Sequence, residues 1–280
     1  MATSMLIFGT IAPFVRNINV SSGELALYRA IMAAVMVGGF LLLTKQNLSF
    51  ASIKKELLLL TLSGAAMGVN WILLFEAYKY TTVSIATLSY YFAPVIVMAT
   101  CPLLFGEKLS GKQILCFVMS TVGLVLITGT AGGGKQDLIG IAFGLGAAML
   151  YATVMLLNKF IKGVAGLSRT FIQFIAAIIV LLPYVALSGG FTLGSLDGKG
   201  WGALLIVGIL HTGICYCLYF SSIKELPGRE VAILSYIDPL VAVTVSVLWL
   251  SEKMGLAEII GGLFILGFTL WSEIEPKKSK

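Results

Sequence analysis

Charge is scarce in this 280-residue chain: Asp, Glu, Lys and Arg together make up 11%, under half of the roughly 25% carried by ordinary soluble domains. Too little polar surface remains to wet a folded chain of this size on all sides. Histidine is scarcer still. The single His211 excludes the multi-histidine metal clusters of membrane oxidases and desaturases, so no metal and no cofactor is expected. Four cysteines, Cys101, Cys116, Cys215 and Cys217, all lie in apolar stretches without a CxxC pair, which excludes a secreted disulfide framework. No GxxxxGK[ST] phosphate loop occurs, so any energy comes from a gradient rather than from ATP. The net charge is +6, but the basic residues are scattered singly through the loops, and no nucleic-acid partner is expected. The start, Met1 to Val15, lacks a basic n-region and a small-residue cleavage site, so a cleavable signal peptide is not expected either.

What is abundant is apolar: 58% of residues are hydrophobic and the mean hydropathy is +0.99. A membrane span needs about 20 mainly apolar residues to cross roughly 30 Å of hydrocarbon. Six uncharged runs meet that outright: Leu57–Phe75, Thr81–Gly106, Gln113–Gly134, Leu138–Asn158, Thr170–Leu196 and Gly200–Ile223. Four more are shorter or interrupted. Ser4–Val15 is brief, which leaves room for a natural start further upstream. Glu24–Leu43 contains Arg29, Val231–Leu250 contains Asp238, and Leu256–Trp271 contains Glu258. The runs are apolar throughout rather than alternating, which rules against barrel strands. The expectation is an all-α membrane protein of ten transmembrane helices, with loops too short for a soluble domain. With the N-terminus in the cytoplasm, thirteen Lys and Arg fall inside. Five fall outside: Arg16, Lys79, Lys135, Lys199 and Lys253. The positive-inside rule then puts both termini, including a tail at 276–280, in the cytoplasm.

Self-comparison at an offset of 145 residues aligns Gly68 with Gly213, Phe75 with Phe220 and Lys79 with Lys224. The same register aligns Tyr91 with Tyr236, Pro94 with Pro239, and Glu107-Lys108 with Glu252-Lys253. The expected organisation is a five-helix repeat at 1–130, a glycine-rich linker at 131–137, and a second repeat at 138–275. Five is odd, so the second repeat enters from the opposite side and the two are inverted. Such repeats mark secondary transporters, whose sites lie near the midplane at the repeat interface.

The stretch LFEAYKYTTVSIATLSYYFAPVIVMATCPLLFGEKLSGKQ, its echo YFSSIKELPGREVAILSYIDPLVAVTVSVLWLSEKMGLAE, and ALYRA around Arg29 resemble the EamA-type transporters of the drug/metabolite transporter superfamily. The resemblance covers nearly the whole chain. It implies a ten-helix carrier of the bacterial inner membrane, most often an exporter of amino acids or related metabolites. One departure is Glu76, where many relatives have an aromatic or neutral residue.

Pro94 and Pro239 free the carbonyls of Tyr90 and Ser235 from their helical partners. Freed carbonyls either line a wet cavity or are satisfied by a neighbouring helix. Asp238 lies about 10 Å down its helix from Val231, a depth at which an acid is functional by default. It can take a proton or face a solute ammonium, or else pair structurally with Arg29 or a backbone N–H. His211 is either a proton relay or a structurally bonded lone histidine. Arg29, six residues inside its span, is shallow enough to snorkel and clamp helix ends, with a solute carboxylate as the lesser reading. Glu76 and Lys79 form a gate or a surface pair, and Glu76 is a third proton-coupling candidate.

Asn70 and Trp71 lie deeper on the same helix and, with Tyr90, Tyr91, Tyr216, Ser235 and Tyr236, complete the expected solute-binding set. Further aromatic walls come from Tyr151 and Tyr219. Glu107-Lys108 and Glu252-Lys253 end helices, where the lysine charge is favoured. The function expected is export of a small solute by alternating access, with proton coupling, in a monomer or weak homodimer surrounded by lipid. The rivals are a channel or lipid-handling scaffold, which would show charge rings or a filter loop, and an intramembrane enzyme, which would need a catalytic constellation.

Overall fold

The computed structural model describes residues 1–45, 50–106, 108–130, 135–164, 166–223, 225–226 and 228–274. Glu107, Lys224, linker residues 131–134 and the tail at 276–280 lie outside the described residues. Everything regular among the described residues is helical. Eight helices are long and apolar enough to cross a membrane: α2 (Ser22–Leu43), α3 (Phe50–Tyr80), α4 (Val83–Phe105), α5 (Gly111–Thr130), α6 (Lys135–Phe160), α7 (Gly166–Ser188), α8 (Gly198–Ser222) and α10 (Leu256–Glu273). Two shorter apolar helices complete the set, α1 (Ala2–Val15) and α9 (228–248).

Local chemistry sets the ends. Ser21, Thr82 and Asp197 cap α2, α4 and α8 by accepting the backbone N–H groups of Glu24, Ile85 and Gly200, which have no partner within their own helices. Gly106 closes α4 in the left-handed region, where glycine carries no Cβ penalty. The seventh span was expected to reach Leu196, yet α7 stops at Ser188. Gly189 and Gly190 take φ of 150° and 75° there, conformations that end a helix and suit glycine alone.

Two helices are broken at matched positions. α4 divides into Val83–Tyr90 and Ala93–Phe105, and α9 into Gly228–Ser235 and Ile237–Leu248. Pro94 and Pro239 sit within the first turn of each second half, where a missing N–H is harmless because that turn has free N–H groups anyway. The breaks therefore fall just ahead of the prolines. α8 is irregular in a different way, with a π-helical stretch at Ile206–Ile214.

α3 packs on α6 and α7, α2 on α7 and α8, α1 on α8 and α9, α4 on α6 and α9, and α5 on α10. Glycines set the closest approaches. A Cβ on Gly68 would touch Ala177 and Leu181 of α7, and one on Gly64 would meet Gln173 O and Ala176. On the other side, Gly208 and Gly213 of α8 receive Met32 and Met36 of α2. The two glycines are four residues apart in α3 and five apart in α8, and the wide turn lies between the latter pair. Small residues at such crossings are how lipid-embedded helices gain contact without a hydrophobic driving force. Leucines such as Leu43, Leu103 and Leu187 face outward at 85–88% exposure, as a bilayer solvent requires.

Candidate functional site

A cavity of about 580 Å³ lies at the centre of the helices, walled by residues of α1–α4 and α6–α9. That volume is within the usual range for small-molecule sites. One wall is aromatic: Tyr90 stacks on Tyr151 at 5.1 Å and meets Tyr91 edge-on at 5.6 Å, while Tyr216 stands edge-on to Phe174 at 5.3 Å and to Phe8 at 5.4 Å. These rings are positioned by the break in α4, by the α6 face that packs against it and by α8.

Asp238 lines the cavity and lies in the first turn of the second half of α9. The free N–H groups and partial positive charge of a helix N-terminus favour an anion there. The Tyr91 hydroxyl donates to its Oδ2 at 2.5 Å. The break in each helix thus supplies one member of the pair, and sequence depth alone could not reveal that pairing.

Arg29 also lines the cavity. It does not snorkel: the side chain is buried, Nε donates to Thr212 Oγ1 at 2.7 Å, and the guanidinium lies 4.3 Å over Trp71 and 5.8 Å from Phe75. The face of α2 that carries it turns inward against α3 and α8, which outweighs its shallow position along the chain. Asn70 is buried beside it and donates to Ala147 O at 2.5 Å. Ser235 is on the wall and donates to Val231 O.

Other expected members are elsewhere. His211 is buried between α1 and α8, bonded to Thr10 Oγ1 at 3.0 Å and to Ile206 O at 3.3 Å, with Phe14 against its ring. It is not part of the cavity wall, because its helix face meets α1 rather than the hollow. Glu76 pairs with Lys79 at 2.9 Å, one turn along the outer end of α3, and neither lines the cavity. Tyr236 is off the wall too, although Tyr91, its match at the 145-residue offset, is on it.

Several contributors were not foreseen. Gln173 donates to Ser63 Oγ and Asn158 Oδ1 at 2.6 and 2.8 Å. Lys159, seen in the sequence only as a loop charge, sits exposed at one end of the hollow, 5.1 Å over Phe105. Its position at the polar end of α6, next to Asn158, was the available signal.

The opposite end is shut by one carboxylate. Glu252 pairs with Arg16 at 2.5 Å, accepts the Val83 N–H at 2.8 Å and accepts the Ser246 hydroxyl. Ser84 Oγ donates to Ser246 Oγ at 2.7 Å, and Arg16 reaches the carbonyls of Tyr78 and Thr81. Glu252, read from sequence as a helix-end marker, thereby ties α1, α3, α4 and α9. Beyond this knot lies an open groove lined by Arg16, Lys79, Thr82, Asp137 and Glu252. Tyr78 lines both this groove and the central cavity; its ring is the partition.

A ring of lipid-facing helices around a solute-sized hollow is the build of a multi-pass membrane transporter. Comparison with known proteins is specific: the chain belongs to the EamA-like transporter family, whose profile matches residues 1–129 and 138–272. It is 30% identical over 268 residues to the Bacillus subtilis protein named uncharacterized transporter YxxF, covering 95% of this chain and 85% of that one. An Archaeoglobus fulgidus protein named uncharacterized transporter is 27% identical over 96% of this chain and 94% of its own length. Protein PecM of Dickeya dadantii is 24% identical over 74% of this chain and 70% of its own. A solved crystal structure shares the fold with a TM-score of 0.65 at 19% identity, covering 95% of this chain and 93% of that one. Family and relatives point to transport rather than catalysis.

Proposed function

We propose that this transporter is a secondary carrier of the bacterial plasma membrane that exports amino acids or similar small metabolites by alternating access, driven by protons that exchange at Asp238. The observation that carries the reading is the asymmetry of the hollow: it reaches the Lys159 end, while the Glu252–Arg16 knot seals the other. A solute admitted at one end and barred at the other is the resting condition of alternating access.

The reading includes two inverted repeats, 1–130 and 138–275, joined at 131–137. Helix pairings support it. Exchanging each helix with the one five places away turns α3–α6 into α8–α1, α3–α7 into α8–α2, and α4–α6 into α9–α1, and all of these pairs pack. Three further contacts, α2–α7, α4–α9 and α5–α10, map onto themselves. Two separate matches to one family profile are in keeping with the same duplication. Orientation follows the thirteen-to-five division of basic residues, with the Lys159 end and both termini in the cytoplasm.

Asn70, Trp71, Tyr90, Tyr91, Tyr216 and Ser235 form the solute wall in this reading, and Asp238 with Tyr91 forms the proton site. In proteoliposomes loaded with radiolabelled amino acids, efflux should quicken when the receiving side is made acid. Asp238→Asn should cut the gradient-driven component at least about tenfold, the scale of one lost charge-assisted hydrogen bond, while unlabelled solute still drives counterflow. Equal stimulation by the gradient in wild type and variant would remove Asp238 from the coupling step. Absence of counterflow in the wild type would remove the carrier altogether.

A further inference from the structure

The cavity contains a buried guanidinium that forms no ion pair among the described residues. Arg29 is 6% exposed and lies on the cavity wall. A guanidinium offers five N–H donors in a planar fork, and here Nε is the nitrogen with a partner, Thr212. The ion pairs among the described residues are Arg16–Glu252 and Lys79–Glu76, both at the far end. Asp238, the acid on the same wall, is engaged by Tyr91. Trp71 and Phe75 lie against the guanidinium, and its terminal nitrogens are left for a ligand. A buried guanidinium whose terminal nitrogens bond no carboxylate of its own chain can take one that arrives.

We infer that Arg29 is the seat for a solute carboxylate, taken in a two-point fork by its terminal nitrogens, and that the carried solutes are organic acids with a flat apolar body. The body follows from the walls: the rings of Tyr90, Tyr151, Tyr216 and Trp71 line the cavity and suit a flat apolar group. An Arg fork matches a carboxylate in geometry as well as charge, so the seat discriminates an acid from its amide. The inference rests on the cavity being the solute site. It adds a named recognition element that transport alone does not require.

The test is equilibrium binding to the purified full chain, read by quenching of intrinsic tryptophan fluorescence and by thermal shift. The probes are four compounds of one shape: phenylalanine, 3-phenylpropionate, phenylalaninamide and phenethylamine. Wild-type protein should bind the two carboxylates at least tenfold more tightly than the two compounds lacking one. Arg29→Gln should erase that preference, Arg29→Lys should keep part of it, and Lys159→Gln, which removes the other cavity cation, should leave it intact.

Equal binding of acids and their carboxylate-free partners by wild type would overturn the seat while leaving the cavity as a solute site. So would a preference that survives Arg29→Gln and disappears in Lys159→Gln. The wild-type comparison decides the matter even where a variant does not fold. Failure of all four probes to bind would overturn the seat and the cavity reading together.

Discussion

Gly261→Leu is expected to leave almost no folded protein in the membrane, with yield after detergent extraction down at least about tenfold and no cooperative melting transition. α5 and α10 meet where Gly123 and Gly261 face each other: a Cβ on Gly261 would lie 2.5 Å from Gly123 O, and one on Gly123 would lie 2.6 Å from Gly261 O. Both obstacles are backbone atoms, so no rotamer change relieves them. In lipid the pair gains nothing from apolar burial as such, and its stability rests on this close contact. Overpacking a well-fitted site costs about 1–3 kcal/mol for added methylenes, and a side chain aimed at a carbonyl at a helix crossing lies at or above the top of that range. Gly261→Ala should be milder, lowering the melting temperature without abolishing the fold. Gly267→Leu, on the same helix with open space around it, should melt like the wild type. Normal folding of Gly261→Leu would mean that α5 and α10 do not pack this way.

The second large effect concerns the seal. Glu252→Gln is expected to make the cavity reachable from the Arg16 side. A cysteine introduced at Thr87, a buried residue on the cavity wall, should react with a membrane-impermeant thiol reagent from that side at least about tenfold faster in the Glu252→Gln background. The variant removes the negative charge that holds Arg16 and weakens the acceptor of the Val83 N–H. Hydrogen bonds to charged groups contribute about 1.5–3 kcal/mol each, and every 1.4 kcal/mol is a factor of ten in the open population. Helical content should be kept and the melting temperature should fall only modestly, because the lost contacts bridge helix ends rather than fill the core. Unchanged labelling would show that this carboxylate fastens the bundle without governing access.

Much of this was legible in the sequence, for reasons that differ by residue. Hydropathy locates spans because a lipid solvent tolerates so few compositions, and the broken helices were foreseeable because proline cannot donate at Pro94 or Pro239. Depth along a helix also singled out Asp238. Direction around a helix was not legible. Arg29 looks shallow when counted from Glu24, yet the face that bears it turns toward Trp71 and Thr212. His211 has the titration chemistry of a relay, but its ring is taken up by Thr10 and the wide turn. Tyr236 matches Tyr91 at the 145-residue offset and still lies off the wall, because a matched position in the sequence does not fix which way a side chain faces. The role of Glu252 was hidden for another reason. Its partners Arg16, Val83 and Ser246 come from separated segments that only the packing of α1, α4 and α9 brings together.

The wide turn of α8 fits one more residue between two glycine contacts than the regular turn of α3 does. Five residues from Gly208 to Gly213 do the work that four do from Gly64 to Gly68, so the extra residue is absorbed locally and both glycines still meet a neighbouring helix. A segment with such slack has room for chemistry that a regular turn lacks. His211 and Thr212 correspond by count to Ala66 and Met67, side chains that can neither bond Thr10 nor hold a guanidinium. The wide turn thus carries a vocabulary of hydrogen bonds for which the matching stretch of α3 has no side chains.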